Sequence, residues 1–282
     1  MKFYVIPNMT RENAFSVTTR LLEEIQKLKC FAIIDKTLQD TFGEAYYITY
    51  CEAESCIKDV DMVISVGGDG SFINAAKLAT VYNKPVVCVN AGKLAYLACL
   101  EADEISLLAN VVNGSYMTEK RMMLDVSVVD KTGEILYHST CINDAVVSRS
   151  GSIRIMKISA FCNGTPLIEY MADGAIVATP TGSTAYSLSA GGPIVEPCVE
   201  SILLTPVCSH SVFSRSIVLG GNSVLELAHD NSGEAILSCD GQSAVLVPES
   251  ARVVVKRSSQ NVEFVKIKNE TFIEILNKKI SG

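Results

Sequence analysis

The chain has 282 residues, 48% of them apolar and 20% charged, with a formal net charge of −7. That length suits one large or two ordinary domains, and that balance gives a packed core and excludes wholesale disorder. The acidic total argues against a basic nucleic-acid footprint, although backbone amides can still attract small anions locally.

Phe3 to Ile6 reads as a first strand and Phe15 to Leu28 as a helix with a charged face. Met1 to Pro7 is too short, and too soon broken by proline, for a signal peptide. Met62 to Val66 is a β-branched apolar run of the kind buried in parallel sheets. Phe72, Ala75, Ala76 and Ala79 then repeat at helical spacing in a helix reaching Tyr82, and Pro85 to Val89 is another strand. This alternation implies a parallel sheet covered by helices, expected over residues 1–100.

From about Tyr116 short strands separated by turns take over. Asp130-Lys131-Thr132-Gly133 separates Leu124–Val129 from Ile135–Val147, and Asn163-Gly164 separates Ile155–Cys162 from Leu167–Tyr170 as a hairpin signal. Ala175–Ala178, Ile202–Pro206, Ser223–Leu227, Ala235–Cys239, Ala244–Val247 and Arg252–Lys256 continue the pattern. An all-β domain over 101–261 follows. Val262–Ile267 and Thr271–Lys278 mix strand and helix character, and 262–282 is expected to pack back on the first domain.

No apolar run reaches membrane-spanning length, so a cytoplasmic protein without a membrane partner is expected. The 10 cysteines contain no C-x-x-C pair; Cys51 and Cys56 have four residues between them. Cys88, Cys99 and Cys141 lie in apolar runs, and the set reads as reduced core cysteines. With only 3 histidines and no H-E-x-x-H, a zinc site is disfavoured and no metal ligand is assigned.

Two segments carry chemistry. Gly67-Gly68-Asp69-Gly70-Ser71 places one carboxylate among glycines at a strand-to-helix switch, with Ser71 as the expected N-cap. The glycines permit unusual backbone angles and close ligand approach, and the helix start offers free amides to phosphate. Asp69 would repel such a ligand unless a metal or a proton-transfer role compensates; a plain turn that happens to hold Asp competes with this reading. The second segment, Asp173 to Pro193, is built of small and hydroxyl residues around Tyr186. Small residues leave room for a flat ring, hydroxyls bond ribose and base edges, and Tyr186 can stack; a Gly/Ser-rich surface loop is the alternative. Asn143-Asp144 follows an apolar strand and can read a base and a ribose. Asp240-Gly241-Gln242 reads as a hairpin turn, and His210 as structural.

Together these segments resemble the NAD kinase family. Gly67-Gly68-Asp69-Gly70 is similar to its signature, Thr179 to Pro193 to its most specific segment, and Asn143-Asp144 to its Asn-Glu/Asp pair. Thr205 to Ser211 and Asp240-Gly241-Gln242 match later blocks in order, so the resemblance runs from about Asp61 to Gln242. It implies an α/β domain followed by an all-β domain, and transfer of the γ-phosphoryl of ATP to the 2′-hydroxyl of the adenosine ribose of NAD. A divalent cation such as magnesium accompanies the donor, with polyphosphate as a possible substitute donor. It further implies Asp69 as general base and Gly67, Gly68 and Gly70 under the phosphates. Asn143, Asp144, Arg154, Asp173, Thr184, Ala185, Tyr186, Ser187, Leu188, Ser189 and Gln242 would bind the coenzyme, in a homodimer or homotetramer. Lys93, Met171 and Ser216 depart from residues common in the family, which puts any contact from Lys93 or Met171 in doubt. A lipid or sugar kinase sharing the glycine-aspartate loop and a non-catalytic dinucleotide sensor are the alternatives. The chain has no P-loop, no G-x-G-x-x-G at its first helix and no protein-kinase signature.

Overall fold

The computed structural model describes residues 1–92, 95–151, 155–230 and 234–280. By compactness the chain divides into two units, Met1–Lys120 with Val262–Gly282, and Arg121–Asn261.

The first unit runs β1 (Lys2–Pro7), α1 (Ala14–Lys27), β2 (Phe31–Ile34), α2 (Gln39–Phe42), β3 (Ile48–Tyr50), α3 (Ala53–Cys56), β4 (Met62–Gly67), α4 (Asp69–Val81), β5 (Val86–Asn90) and α5 (Leu108–Val112). Its strands pair in parallel in the order β5-β4-β1-β2-β3. Every residue of β4 is buried, which is why that stretch shows no alternation of apolar and polar residues. Val17, Leu21, Leu22 and Ile25 form the buried stripe of α1 against this sheet. Strands β2 and β3 were not legible. Their four and three residues are too few to show a period, and both carry exposed positions. Cys51 and Cys56 are joined by a disulfide with Cα atoms 6.5 Å apart, which corrects the expectation of reduced cysteines for this pair. The single turn of α3 brings the two residues side by side. Cys88 and Cys141 are buried and form no disulfide.

The second unit is built mainly of antiparallel strand pairs. Its elements are β6 (Met117–Val129), β7 (Ile135–Cys141), β8 (Asp144–Arg149), β9 (Met156–Cys162), β10 (Thr165–Ala172), β11 (Gly174–Ala178), α6 (Tyr186–Ser189), β12 (Ser201–Val207), β13 (Ile217–Gly220), β14 (Leu225–His229), β15 (Ala235–Cys239), β16 (Val245–Val247) and β17 (Arg252–Lys266), and α7 (Phe272–Ile280) follows in the chain. One sheet is ordered β13-β12-β11-β8-β15-β16. The other contains β10-β9-β14-β17, with β6 and β7 as a hairpin. Ala145, Val147, Ala175, Val177 and Leu204 from the first sheet share a core with Ile158, Ala160, Leu225 and Val253 from the second. Asn163 and Gly164 both have positive φ, 51° and 77°, as a tight hairpin turn requires.

The α/β first part and all-β second part match the expected fold class. Two expected elements are corrected. Ile135–Val147 is not one strand: the chain leaves β7 at Cys141 and enters the other sheet at Asp144. Conversely, Arg252–Lys256 and Val262–Ile267 are one strand, β17, which begins in the second unit and ends in the first. There Phe264 pairs with Val86 of β5 and its ring lies 4.7 Å from that of Phe72. Lys268 bonds Glu104 at 2.7 Å and holds the tail in the first unit.

Candidate active site

In the first unit the glycine-aspartate loop sits where β4 meets α4. The helix begins at Asp69, with Gly68 as N-cap, one turn earlier than Phe72. Ser71 is therefore not the cap but lies inside the first turn, where its Oγ accepts the Asn8 amide at 2.7 Å. Steric space explains the displacement. A Cβ on Gly67 would meet Ser71 Cβ and Oγ at 2.7 Å, so residue 67 must be glycine for Ser71 to fold over it. None of Gly67, Gly68 and Gly70 has positive φ, so closeness rather than an unusual backbone angle is what they provide. A Cβ on Gly70 would meet nothing within 4 Å, which leaves that face open to a ligand.

Asp69 is held firmly. Its Oδ2 accepts the Tyr96 N–H at 2.8 Å and its Oδ1 the Leu97 N–H at 2.9 Å. Its place in the first turn is also favoured by the helix dipole. Each carboxylate oxygen has a further lone pair, so the group can still accept a hydroxyl proton. Three residues here, Arg11, Tyr96 and Leu97, were not anticipated. The loop after β1 brings Arg11 next to Gly68: its Nη2 lies 4.0 Å from where a Cβ would stand. The signal was available, since β1 and β4 are adjacent parallel strands and their C-terminal loops share one end of the sheet. Tyr96 and Leu97 gave no such signal, because they act through backbone amides.

In the second unit Asn143 and Asp144 mark the crossing from β7 to β8, and Asp240 organises it. The Asp240 carboxylate accepts the N–H groups of Ile142 at 2.9 Å, Asn143 at 2.7 Å and Asp144 at 3.1 Å. Asp240 and Gly241 have φ of 51° and 68°, so the turn reading holds but is incomplete. Asp144 is only 4% exposed. Burial first, and then the charge of Asp240, push its carboxyl up to about 7. Asn143 Oδ1 is buried without a hydrogen-bond partner, an acceptor waiting for a donor.

The loop after β11 packs onto the same crossing. Thr179 donates its Oγ1–H to the Ile142 carbonyl at 2.6 Å and its N–H to the Asn143 carbonyl at 2.8 Å. A Cβ on Gly182 would collide with the Asn143 carbonyl, so glycine is obligatory there. Arg121 steadies the loop through Thr181 Oγ1 at 3.3 Å. At the far end of β8, Arg149 Nε donates to Asp173 Oδ1 at 2.9 Å. Five residues at about 3.3 Å each put that pair about 17 Å from Asp144.

The family model for the ATP-NAD kinase N-terminal domain matches residues 3–116, and that for the ATP-NAD kinase C-terminal domain matches residues 142–267. The NAD kinase of Caldanaerobacter subterraneus subsp. tengcongensis is 35% identical over 283 residues, 99% of each chain. The chain belongs to the NAD kinase family. The NAD kinase of Symbiobacterium thermophilum is 41% identical over 226 residues, 79% of this chain and 80% of that one. The crystal structure of yeast NADH kinase complexed with NADH shares the fold, with a TM-score of 0.88 at 24% identity over 100% of this chain and 87% of that one.

The residues that the NAD kinase resemblance implicates are not alike in their surroundings. Tyr186 is 46% exposed and Ser189 is exposed, so both can meet a ligand. Thr184, Ala185 and Leu188 are half-buried. Ser187 is fully buried, with Oγ 3.1 Å from Thr205 Oγ1, so its hydroxyl is engaged within the loop. Gln242 is exposed at the turn after β15, and its backbone holds that turn. His210 is exposed rather than packed. Arg154 and Lys93 lie outside the described residues. No group of three or more His, Cys, Asp and Glu among the described residues is placed to hold a metal. These residues do not build a cage for the implied magnesium. No helix among the described residues is long and apolar enough to cross a membrane.

Proposed function

We propose that this chain transfers the γ-phosphoryl of ATP to the 2′-hydroxyl of the adenosine ribose of NAD, giving NADP and ADP. The reading rests above all on Asp69, a carboxylate fixed by two backbone N–H bonds in an open glycine loop. Asp69 accepts the hydroxyl proton as the 2′-oxygen bonds to the γ-phosphorus and the bond to the β-phosphate oxygen breaks. Positioning and charge neutralisation supply the rest of the catalysis, as is general for phosphoryl transfer. Gly67, Gly68 and Gly70 leave room for donor phosphates, and Arg11 beside them supplies a cation. A divalent ion, magnesium in the first instance, would come with the donor phosphates and neutralise their charge.

Asn143 Oδ1 fits the amino group of adenine, since a buried acceptor without a partner gains most from a donor. Asp144 beside it takes a ribose hydroxyl. Asp173 holds the nicotinamide end; its distance from Asp144 along β8 suits an extended dinucleotide. Thr184, Ala185, Tyr186, Leu188, Ser189, Arg154 and Gln242 complete the coenzyme contacts. We place the enzyme in the cytoplasm as a homodimer or homotetramer.

The test is a product assay. Purified protein with ATP and magnesium is given NAD or diacylglycerol, with polyphosphate replacing ATP in a parallel arm. NADP is the expected product; phosphorylated lipid without NADP would overturn the proposal. Specific activity should fall on dilution below the oligomer's dissociation constant, and a fully active monomer by light scattering would contradict the assembly.

A further inference from the structure

We infer that Arg149 governs how strongly the chain prefers the oxidised over the reduced coenzyme, by cancelling the charge that Asp173 presents. The inference rests on the placement of Asp173 at the nicotinamide end proposed above. The oxidised nicotinamide ring carries a positive charge and the reduced ring carries none. A bare carboxylate at that end would therefore favour NAD⁺ over NADH, and a carboxylate already paired with a guanidinium would favour it less.

The structure shows the pairing. Arg149 is the last residue of β8, Asp173 immediately precedes β11, and these two strands are hydrogen-bonded neighbours. Arg149 Nε lies 2.9 Å from Asp173 Oδ1, and the Arg149 N–H donates to the Asp173 carbonyl at 3.1 Å. The two backbones are thereby fixed together, so the ion pair is built into the sheet rather than made by two wandering side chains. The side chains are 29% and 32% exposed, open enough for a ligand to reach and covered enough to act on it. The hydrogen bond from Arg149 is the main reason the Asp173 carboxyl sits below the usual carboxylate range; His210 adds a smaller push the same way. Asp173 is thus ionised at neutral pH, and its field is set by its partner rather than by protonation.

Met171 lies at this end of β10, and Ser209, His210 and Ser211 form the loop beside it. The Met171 N–H donates to Ser211 Oγ at 2.8 Å and the His210 N–H to the Met171 carbonyl at 2.7 Å, which fixes that loop beside Asp173. Arg149 is accordingly a positioning and charge-setting residue, and Asp173 is the group that meets the ring.

The experiment measures the ratio of the NADH and NAD⁺ dissociation constants, NADH by its own fluorescence and NAD⁺ by competition. The proteins are the unmodified chain, Arg149→Gln, Arg149→Lys and Asp173→Asn. Glutamine keeps a donor for Asp173 and removes the charge; it should raise the preference for NAD⁺ about fivefold, the scale of a half-exposed charge pair. Lysine keeps the charge, and its ratio should stay within about twofold of the unmodified chain. Asparagine at 173 should lower the preference. An unchanged ratio in Arg149→Gln beside a shifted one in Asp173→Asn overturns the inference. So does an equal rise in Arg149→Lys, which would make the effect one of shape. If Asp173→Asn leaves both constants unchanged, the placement of Asp173 is what fails. Should Arg149→Gln not fold, Arg149→Met with its melting temperature replaces it under the same criteria.

Discussion

Asp69→Asn is expected to slow NADP formation by about 10²–10⁴-fold, the range for losing a general base. Asparagine has nearly the same shape, and its one carbonyl oxygen can keep one of the two N–H bonds from Tyr96 and Leu97. The other N–H would then face the amide nitrogen, a local cost of about 1–3 kcal/mol. The loop should therefore survive, and NAD affinity should stay within a few-fold because the proposed adenine and ribose contacts come from Asn143 and Asp144. Single-turnover measurement of NADP, with NAD binding by calorimetry on the same protein, separates the two effects. A rate equal to that of the unmodified enzyme would remove Asp69 from the chemistry; an equal loss of binding and rate would make it a binding residue only.

The second large effect is expected at Asp240. Its carboxylate is the acceptor for three successive N–H groups, and Asp240→Ala leaves all three without it. At about 1 kcal/mol for each bond the loss of stability should be roughly 3 kcal/mol. Asp240→Asn keeps one acceptor oxygen and should lose less. The same substitution changes the pH profile through Asp144. Because the Asp144 carboxyl is raised to about 7 in the folded chain, the folded state holds a proton there that the unfolded state releases near 4. Its contribution to stability is full below about pH 4 and lost as pH rises through about 7. Burial, the larger cause, remains in Asp240→Asn, while the repulsion goes, so the upper end of that window should move down without reaching the ordinary carboxylate range. Urea unfolding across pH 4–8 reads this directly. An identical pH profile in Asp240→Asn and the unmodified chain would show that Asp240 does not act on Asp144.

What could be read in the sequence depended on how local the physics was. Strand β4, helix α4 and the hairpin at Asn163-Gly164 declare themselves within a dozen residues, through composition, period and turn chemistry. Asp69 stood out because a carboxylate among glycines is locally odd. What the carboxylate bonds to was hidden, because its partners are backbone amides 27 and 28 residues away, which any side chain could accompany. Asp240 was read as a turn residue for the same reason: Asp-Gly looks alike whether or not the carboxylate also accepts N–H groups 96–98 residues earlier. The split of Ile135–Val147 into two strands was hidden because the crossing at Ile142–Asp144 is held by Asp240, a partner 96–98 residues away. The polar stretch Arg257 to Asn261 suggested a break in β17 that the paired backbone does not make.

Strand β17 also fixes an order of events during translation. Val262, Phe264 and Val265 are buried, and Phe264 contacts Val86 and Phe72 from the first third of the chain. These residues emerge from the ribosome only after the whole of the second unit has been made. A nascent chain must therefore leave Val86 and the ring of Phe72 without these partners through most of its synthesis, and the two ends of the polypeptide can mature together only once elongation has passed Lys266.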